Sequence, residues 1–296
     1  MTAPVVEDVR YHSRDGIKLY ARDHGRGVSD ALPLVCLSSL TGNHREFDQL
    51  ANFFATHRKR PRRVVAFDYR GRGNSARDRD WRNYAILTEA QDVLDGMAAL
   101  GIEHAAMVGS SRGGLIVMAL AALRPGAMRA VVLNDVGPVL DGAGLAQIRG
   151  MVERMPIPAD WREAVEILRS TRGKAFAAYG DADWEVQARI FFRDKNGKPE
   201  PDHDPALLKQ LAGIDFDKPL PTLWSQFDGL SRIPLLAIRA ENSTLLSAET
   251  LALMEQRSHR ITCITVPGQG HAPALHTAGL PEAIDEFLSK AAKRRR

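Results

Sequence analysis

Cysteine is scarce in this 296-residue chain, which has only Cys36 and Cys263. Both lie in apolar, strand-like runs, which favours reduced, buried thiols and a cytoplasmic protein. Long hydrophobic runs are also missing: none approaches the roughly 18 residues of a membrane span. The opening residues Met1-Thr2-Ala3-Pro4-Val5-Val6-Glu7-Asp8 have neither the basic nor the apolar region of a signal peptide. No membrane partner is therefore expected. Among nine histidines no pair has H-x-x-x-H spacing, so no metal is expected. A phosphate-cradling G-x-x-x-x-G-K-[ST] is absent too, and Gly71-Arg72-Gly73 alone is weak, so no nucleotide cofactor is expected.

The formal net charge of +4 raises the question of nucleic acid. The basic residues, however, concentrate in His57-Arg58-Lys59-Arg60-Pro61-Arg62-Arg63 and in Lys293-Arg294-Arg295-Arg296. The first run is interrupted by Pro61 just before a strand, and the second is a terminus. Neither has interleaved aromatics on which bases could stack, so no nucleic-acid partner is expected. What remains is the composition of an ordinary globular protein, 44% hydrophobic and 26% charged. A chain of this length is enough for one large domain with an insertion.

Residues 7–24 read as two short strands joined at the turn Arg14-Asp15-Gly16. Buried strands are expected at 32–37, 64–68 and 128–135, and helices at 44–57 and 88–100, the latter N-capped by Thr88 and ended by Gly101. Residues 139–218 carry no convincing central strand. They offer amphipathic helices at 143–155 and 161–168 and a turn at Lys195-Asn196-Gly197. Alternation resumes with a strand at 233–239, a helix at 247–256, a strand at 261–266 and a helix at 281–292. This order predicts an α/β fold with a mostly parallel sheet covered on both faces. The helical block is then an insertion over the carboxyl edge, where ligands bind in open α/β sheets.

The chemistry centres on Gly109-Ser110-Ser111-Arg112-Gly113, a match to G-x-S-x-G between an apolar strand and the apolar run 115–123. A serine on so sharp a strand-to-helix turn has a strained backbone, and glycine on either side supplies the missing bulk. The turn pushes the Ser111 hydroxyl out beside the free N–H groups of the following helix, as an acyl-transfer nucleophile requires.

With Ser38-Ser39-Leu40-Thr41-Gly42-Asn43 after the third strand, Asp68-Tyr69-Arg70-Gly71-Arg72-Gly73-Asn74-Ser75 after the fourth, and Gly268-Gln269-Gly270-His271 after the last, the chain resembles the α/β-hydrolase family over essentially its whole length. The resemblance implies an eight-stranded sheet, a core from residues 1–138 and 219–296, and a helical cap, residues 139–218, inserted after the sixth strand. It sets Cys36 and Cys263 four strands apart, about 19 Å at about 4.8 Å per step, beyond the roughly 7 Å reach of a disulfide. It makes His271 the catalytic base. The oxyanion donors would be the backbone N–H of Arg112 and, from the loop after the third strand, of Leu40, although Ser38-Ser39 replaces the family's common His-Gly opening.

The acid is the open position. Similar sequences tend to carry Asp where this one has Thr244, which cannot hold a charge. Two candidates remain: Asp135, at the end of the sixth strand, and Glu241, in the loop after the seventh. Asp135 is preferred because the strand end fixes its height over the elbow. Asp68, Arg70, Gly71, Gly73 and Ser75 read as structural. His44 and His276 are rim candidates, and the remaining histidines read as surface or packing residues. Trp161, Trp184, Phe191, Phe192, Trp224 and Phe227 read mainly as packing residues. The expected function is a serine hydrolase, foremost a carboxylesterase for a small or medium ester, acting as monomer or dimer. The same scaffold also carries C–C bond hydrolases, lactonases, acyltransferases and non-catalytic ligand-binding proteins. Its epoxide hydrolases and dehalogenases use Asp where this chain has Ser111.

Overall fold

A computed structural model describes residues 5–216 and 218–293. Residues 1–4, Asp217 and residues 294–296, with most of the basic tail, lie outside the described residues. The chain opens with β1 (Val6–His12) and β2 (Lys18–His24), followed by β3 (Leu34–Leu37), α1 (Asp48–Ala55), β4 (Val64–Asp68), α2 (Ile86–Ala99), β5 (Ala105–Ser110), α3 (Arg112–Leu123) and β6 (Met128–Asn134). A second block holds α4 (Gly142–Glu153), α5 (Trp161–Arg172), α6 (Asp181–Phe191), β7 (Phe192–Lys195), β8 (Lys198–Pro201) and α7 (Lys209–Ala212). The chain ends with α8 (Trp224–Leu230), β9 (Leu235–Asn242), α9 (Ala248–Arg257), β10 (Ile261–Gly270) and α10 (Leu280–Lys293).

The main sheet has eight strands in the order β1-β2-β4-β3-β5-β6-β9-β10. β2 pairs antiparallel with both of its neighbours, and every other pairing is parallel. Parallel strands are covered on both faces, and alternation divides their side chains between two cores. In β3, Val35 and Leu37 join the cluster holding Ile116, Leu120, Met97 and Phe227 of the helices on one face. Leu34 and Cys36 join Leu50, Phe54, Ile284 and Leu288 on the other. The mostly parallel eight-stranded fold expected from the strand–helix alternation is the one observed. Cys36 is buried and Cys263 is half-buried, so only the first matches the expected fully buried thiol.

Sequence order reverses between β3 and β5, because β4 lies on the far side of β3. That switch point opens a crevice at the carboxyl ends of the two strands. Register aligns what leaves it: Gly109 pairs with Leu37 on one side and Leu133 on the other, and Ser110 pairs with Asn134. The loops after β3, β5 and β6 therefore start at one level. β10 adds a bulge between Val266 and Gly270, where Gly270 pairs with Asn242. Bulges re-aim the residues that follow them, and His271 is the next residue.

The block between β6 and β9 has its own small core of Leu168, Phe176, Trp184, Ala188 and Phe192. It is tied to the sheet side by Asn43 Nδ2 donating to the Ile190 carbonyl at 2.9 Å and by the Tyr84 hydroxyl donating to Asp204 at 2.6 Å. β7 and β8 form a separate hairpin that sequence reading marks only through its turn, where Asn196 and Gly197 take positive φ. α2 begins at Ile86 after Ala85, so Thr88 lies within its first turn and is not the N-cap. No side chain caps this helix, and Tyr84 and Glu89, on either side of its start, are buried. In the basic run, Arg60 pairs with Asp285, Arg62 donates to the Leu32 carbonyl, and Arg63 holds Asp23 at 2.7 Å. Among the described residues no helix is long and apolar enough to cross a membrane.

The elbow's tolerance for bulk makes a test. A Cβ on Gly113 would lie 2.0 Å from the Leu37 carbonyl oxygen, which is backbone and cannot step aside. A Cβ on Gly126 would meet nothing within 4 Å. Gly113→Ala should lower the urea-unfolding free energy by about 3 kcal/mol or more, whereas Gly126→Ala should change it by no more than about 1 kcal/mol.

Candidate active site

Ser111 occupies a backbone conformation of φ 51° and ψ −113° between β5 and α3. Few non-glycine residues adopt it, and such strain costs about 1–3 kcal/mol. Its N–H donates to the Asn134 carbonyl at 2.9 Å, and its own carbonyl accepts from Gly114 at 2.9 Å. The side chain is thereby turned out of the sheet edge, where Oγ lies 2.7 Å from Nε2 of His271.

The His271 ring is oriented from behind. Nδ1 lies 2.9 Å from Oδ2 of Asp135, while Oδ1 of Asp135 accepts the Ala240 amide at 2.8 Å. A donating Nδ1–H leaves Nε2 as the acceptor for the Ser111 hydroxyl. Asp135 is fully buried and sits just past β6 with φ 57°. That left-handed step, more readily taken by Asp than by most residues, ends the strand one residue earlier than the sequence pattern suggests. Glu241 is exposed, and its Oε2 accepts the Gly268 amide at 2.7 Å. It therefore braces the loop that carries His271 but makes no hydrogen bond to the imidazole. Of the two acid candidates, Asp135 is the one bonded to His271. Thr244 is exposed, and its backbone carbonyl packs against α4, where a Cβ on Gly144 would lie 1.8 Å from the oxygen.

Beside Ser111 are two free donors. Among the described residues neither the Leu40 amide nor the Arg112 amide has a hydrogen-bond partner. Arg112 is the first residue of α3, so its N–H is unused by the helix. The two segments are joined by a buried ionic bridge that sequence reading does not reveal. Arg72 Nε donates to the Leu40 carbonyl at 3.0 Å and its Nη1 to Glu89 Oε1 at 2.6 Å. Glu89 Oε2 in turn accepts from Arg112 Nε at 2.7 Å. Where the common His-Gly opening is replaced by Ser38-Ser39, Glu46 secures the loop by accepting both the Ser39 amide and its hydroxyl at 3.1 Å. Burial pushes the Glu46 carboxyl above the usual range.

Ser111, His271 and Leu40 line a cavity of about 90 Å³ together with Met151 of α4, Arg172 of α5 and Phe191 of α6. An apolar pocket of about 210 Å³ adjoins it and shares Thr41, Val152 and Phe191. His276 also lines the first cavity. His44 does not: it is buried against Asp68, with Nδ1 2.9 Å from Oδ2. Asp68 also accepts the amides of His44 and Asn74, at 2.6 and 2.8 Å, as a structural residue would. Of the aromatics, Trp184, Phe192 and Phe227 are core residues, Trp161 and Trp224 pack against those cores, and Phe191 reaches the cavity. Among the described residues no three of His, Cys, Asp and Glu are grouped as metal ligands would be.

Such a sheet, with its elbow and the cavity beside it, defines a hydrolase of the α/β type. Residues 33–276 match the family described as the alpha/beta hydrolase fold, and the chain belongs to that family. It is 30% identical to a 3-hydroxybutyrate-oligomer hydrolase from Cupriavidus necator, over 81% of this chain and 82% of the relative. It is 27% identical to a 2-(acetamidomethylene)succinate hydrolase from Mesorhizobium japonicum, over 86% and 85% of the two chains. The crystal structure of an alpha/beta hydrolase from Novosphingobium aromaticivorans superposes with a TM-score of 0.87 at 33% identity, covering 98% of this chain and 99% of that one.

The ionic bridge predicts a stability cost. Glu89→Gln leaves Arg72 and Arg112 buried without their shared carboxylate, and breaking such a group costs about 3–5 kcal/mol. Urea unfolding should show a loss of that size, with the slope of the transition unchanged.

Proposed function

We propose that this hydrolase is a serine carboxylesterase for small or medium esters. The single observation that carries the reading is the continuous line from Ser111 Oγ through His271 to the buried Asp135, at 2.7 and 2.9 Å. Ser111 attacks the ester carbonyl as His271 Nε2 takes its proton, and the Leu40 and Arg112 amides receive the oxyanion. His271 then gives that proton to the departing alkoxide, leaving an acyl-enzyme on Ser111. Water attacks the acyl carbon, surrenders its proton to His271, and the acid departs as the proton returns to Ser111. Asp135 holds the imidazole in the required tautomer and stabilises the imidazolium. Two unpaired donors beside an oriented nucleophile support turnover over a purely ligand-binding role.

We propose residues 139–218 as the cap that selects substrates, a reading supported by Met151, Arg172 and Phe191 in the cavity wall. The cavity of about 90 Å³ and the adjoining apolar pocket of about 210 Å³ together match the low end of the 300–1,000 Å³ of drug-sized ligand sites, which favours a small or medium ester. The two unpaired cysteines support a cytoplasmic setting.

Ser111→Ala should abolish both ester hydrolysis and labelling by a fluorophosphonate, and Ser110→Ala should keep the label. Labelling that survives Ser111→Ala contradicts the assignment. In steady-state kinetics, Asp135→Asn should lower kcat by about 10²- to 10⁴-fold, with Glu241→Gln much milder. The reverse ranking would move the acid to Glu241.

A further inference from the structure

The cavity holds a cation that the reaction does not use. Arg172 ends α5 and lines the same cavity as Ser111 and His271. Its guanidinium lies 4.5 Å from the Phe176 ring centre and 5.0 Å from that of Phe191. Nη2 donates to the His271 carbonyl at 3.0 Å, and Nη1 has a long contact of 3.4 Å to Gln187 Oε1. Among the described residues no carboxylate lies within 4.0 Å of it. Arg172 is half-buried; arginine stays charged in proteins, and a guanidinium partly withdrawn from water gains most from an anion that meets it. The ring faces and the two acceptors occupy only part of its five-donor fork.

We propose that Arg172 is the anchor for a free carboxylate on the substrate, so that the preferred ester is a half-ester or an ester of a hydroxy acid. This rests on the serine-esterase reading and narrows its substrate class. The anion is a carboxylate and not a phosphate dianion. Arg172 is the one Lys or Arg side chain among the lining residues, and Glu46, an acid, lines the same cavity. One planar fork matches one carboxylate in both charge and geometry. Pinning that end while Ser111 meets the carbonyl would fix the ester's orientation, the use to which binding energy away from the reacting bond is best put.

The position of Arg172 beside the His271 carbonyl also gives it a purely structural alternative, which the test must separate. Two matched pairs of aryl esters serve: 4-nitrophenyl hemiadipate with its methyl ester, and 4-acetoxybenzoate with its methyl ester. They place the carboxylate on the acyl and the alcohol side respectively. In Arg172→Gln the anionic-to-neutral ratio of kcat/KM should fall about 10- to 100-fold in at least one pair, with partial recovery in Arg172→Lys. If Arg172 only braces the His271 loop, both members of each pair fall together; an unchanged ratio in both pairs overturns the proposal. Calorimetry of adipate binding to Ser111→Ala, with and without Arg172→Gln, reads the anchor without turnover. Native protein that hydrolyses none of the four esters, with adipate still binding through Arg172, would sink the esterase reading and leave the anchor standing. Turnover with adipate binding indifferent to Arg172 would do the opposite. Should Arg172→Gln fail to fold, Arg172→Lys supplies the same comparison, with a smaller fall expected.

Discussion

The backbone of Ser111 is the constraint on which the rest of the site depends. Its φ of 51° is costly for a residue with a Cβ, and the surroundings hold it there from three sides. The Asn134 carbonyl fixes its amide, α3 is packed against the sheet and against α2 and α8, and Gly113 lets the helix approach the Leu37 carbonyl. One bend thus performs two tasks. It brings Oγ to the Nε2 of His271, and it starts α3 at Arg112, whose amide has no hydrogen-bond partner among the described residues.

The sheet supplies the second requirement, which is that distant segments arrive at one level. Beyond the last paired residues β6 and β9 stay joined, by a main-chain bond from the Asp135 amide to the Ile238 carbonyl at 2.7 Å and by the Ala240 amide donating to the Asp135 side chain at Oδ1, 2.8 Å away. Asp135 is therefore positioned by β9 as much as by β6. The bulge in β10 then returns the chain towards Ser111. Charge provides the remaining coupling: Arg72, Glu89 and Arg112 link the carbonyl of Leu40 to the start of α3 through side chains almost wholly removed from water. Ionic bridges of this kind contribute little net stability over apolar packing, but they tie the loop after β3 to the start of α3.

Elements whose causes are local were legible in the sequence. The elbow needs five consecutive residues, and the buried strands announce themselves as apolar runs, so both follow from short windows. The acid was less so. Choosing between Asp135 and Glu241 depends on the left-handed turn after Asn134 and on which loop Gly268 needs as a brace, and neither is written in neighbouring residues. Thr88 has the side chain of a cap, but the N-cap of α2 is Ala85, three residues earlier, which has no capping side chain to signal it. Glu46 and Arg172 carried no signal at all. Each looks like an ordinary charged residue on a helix or turn, and only the packing of the β6–β9 block against the sheet brings both to one cavity.

In the proposed reaction Ser111 carries the acyl group between two halves. Rapid-quench mass spectrometry of the protein mixed with 4-nitrophenyl acetate measures this directly. A burst of 4-nitrophenol matched by one acetyl group on the peptide containing Ser111 is expected. Steady release of 4-nitrophenol with no acetylated peptide, or acetyl found on another residue, would contradict it.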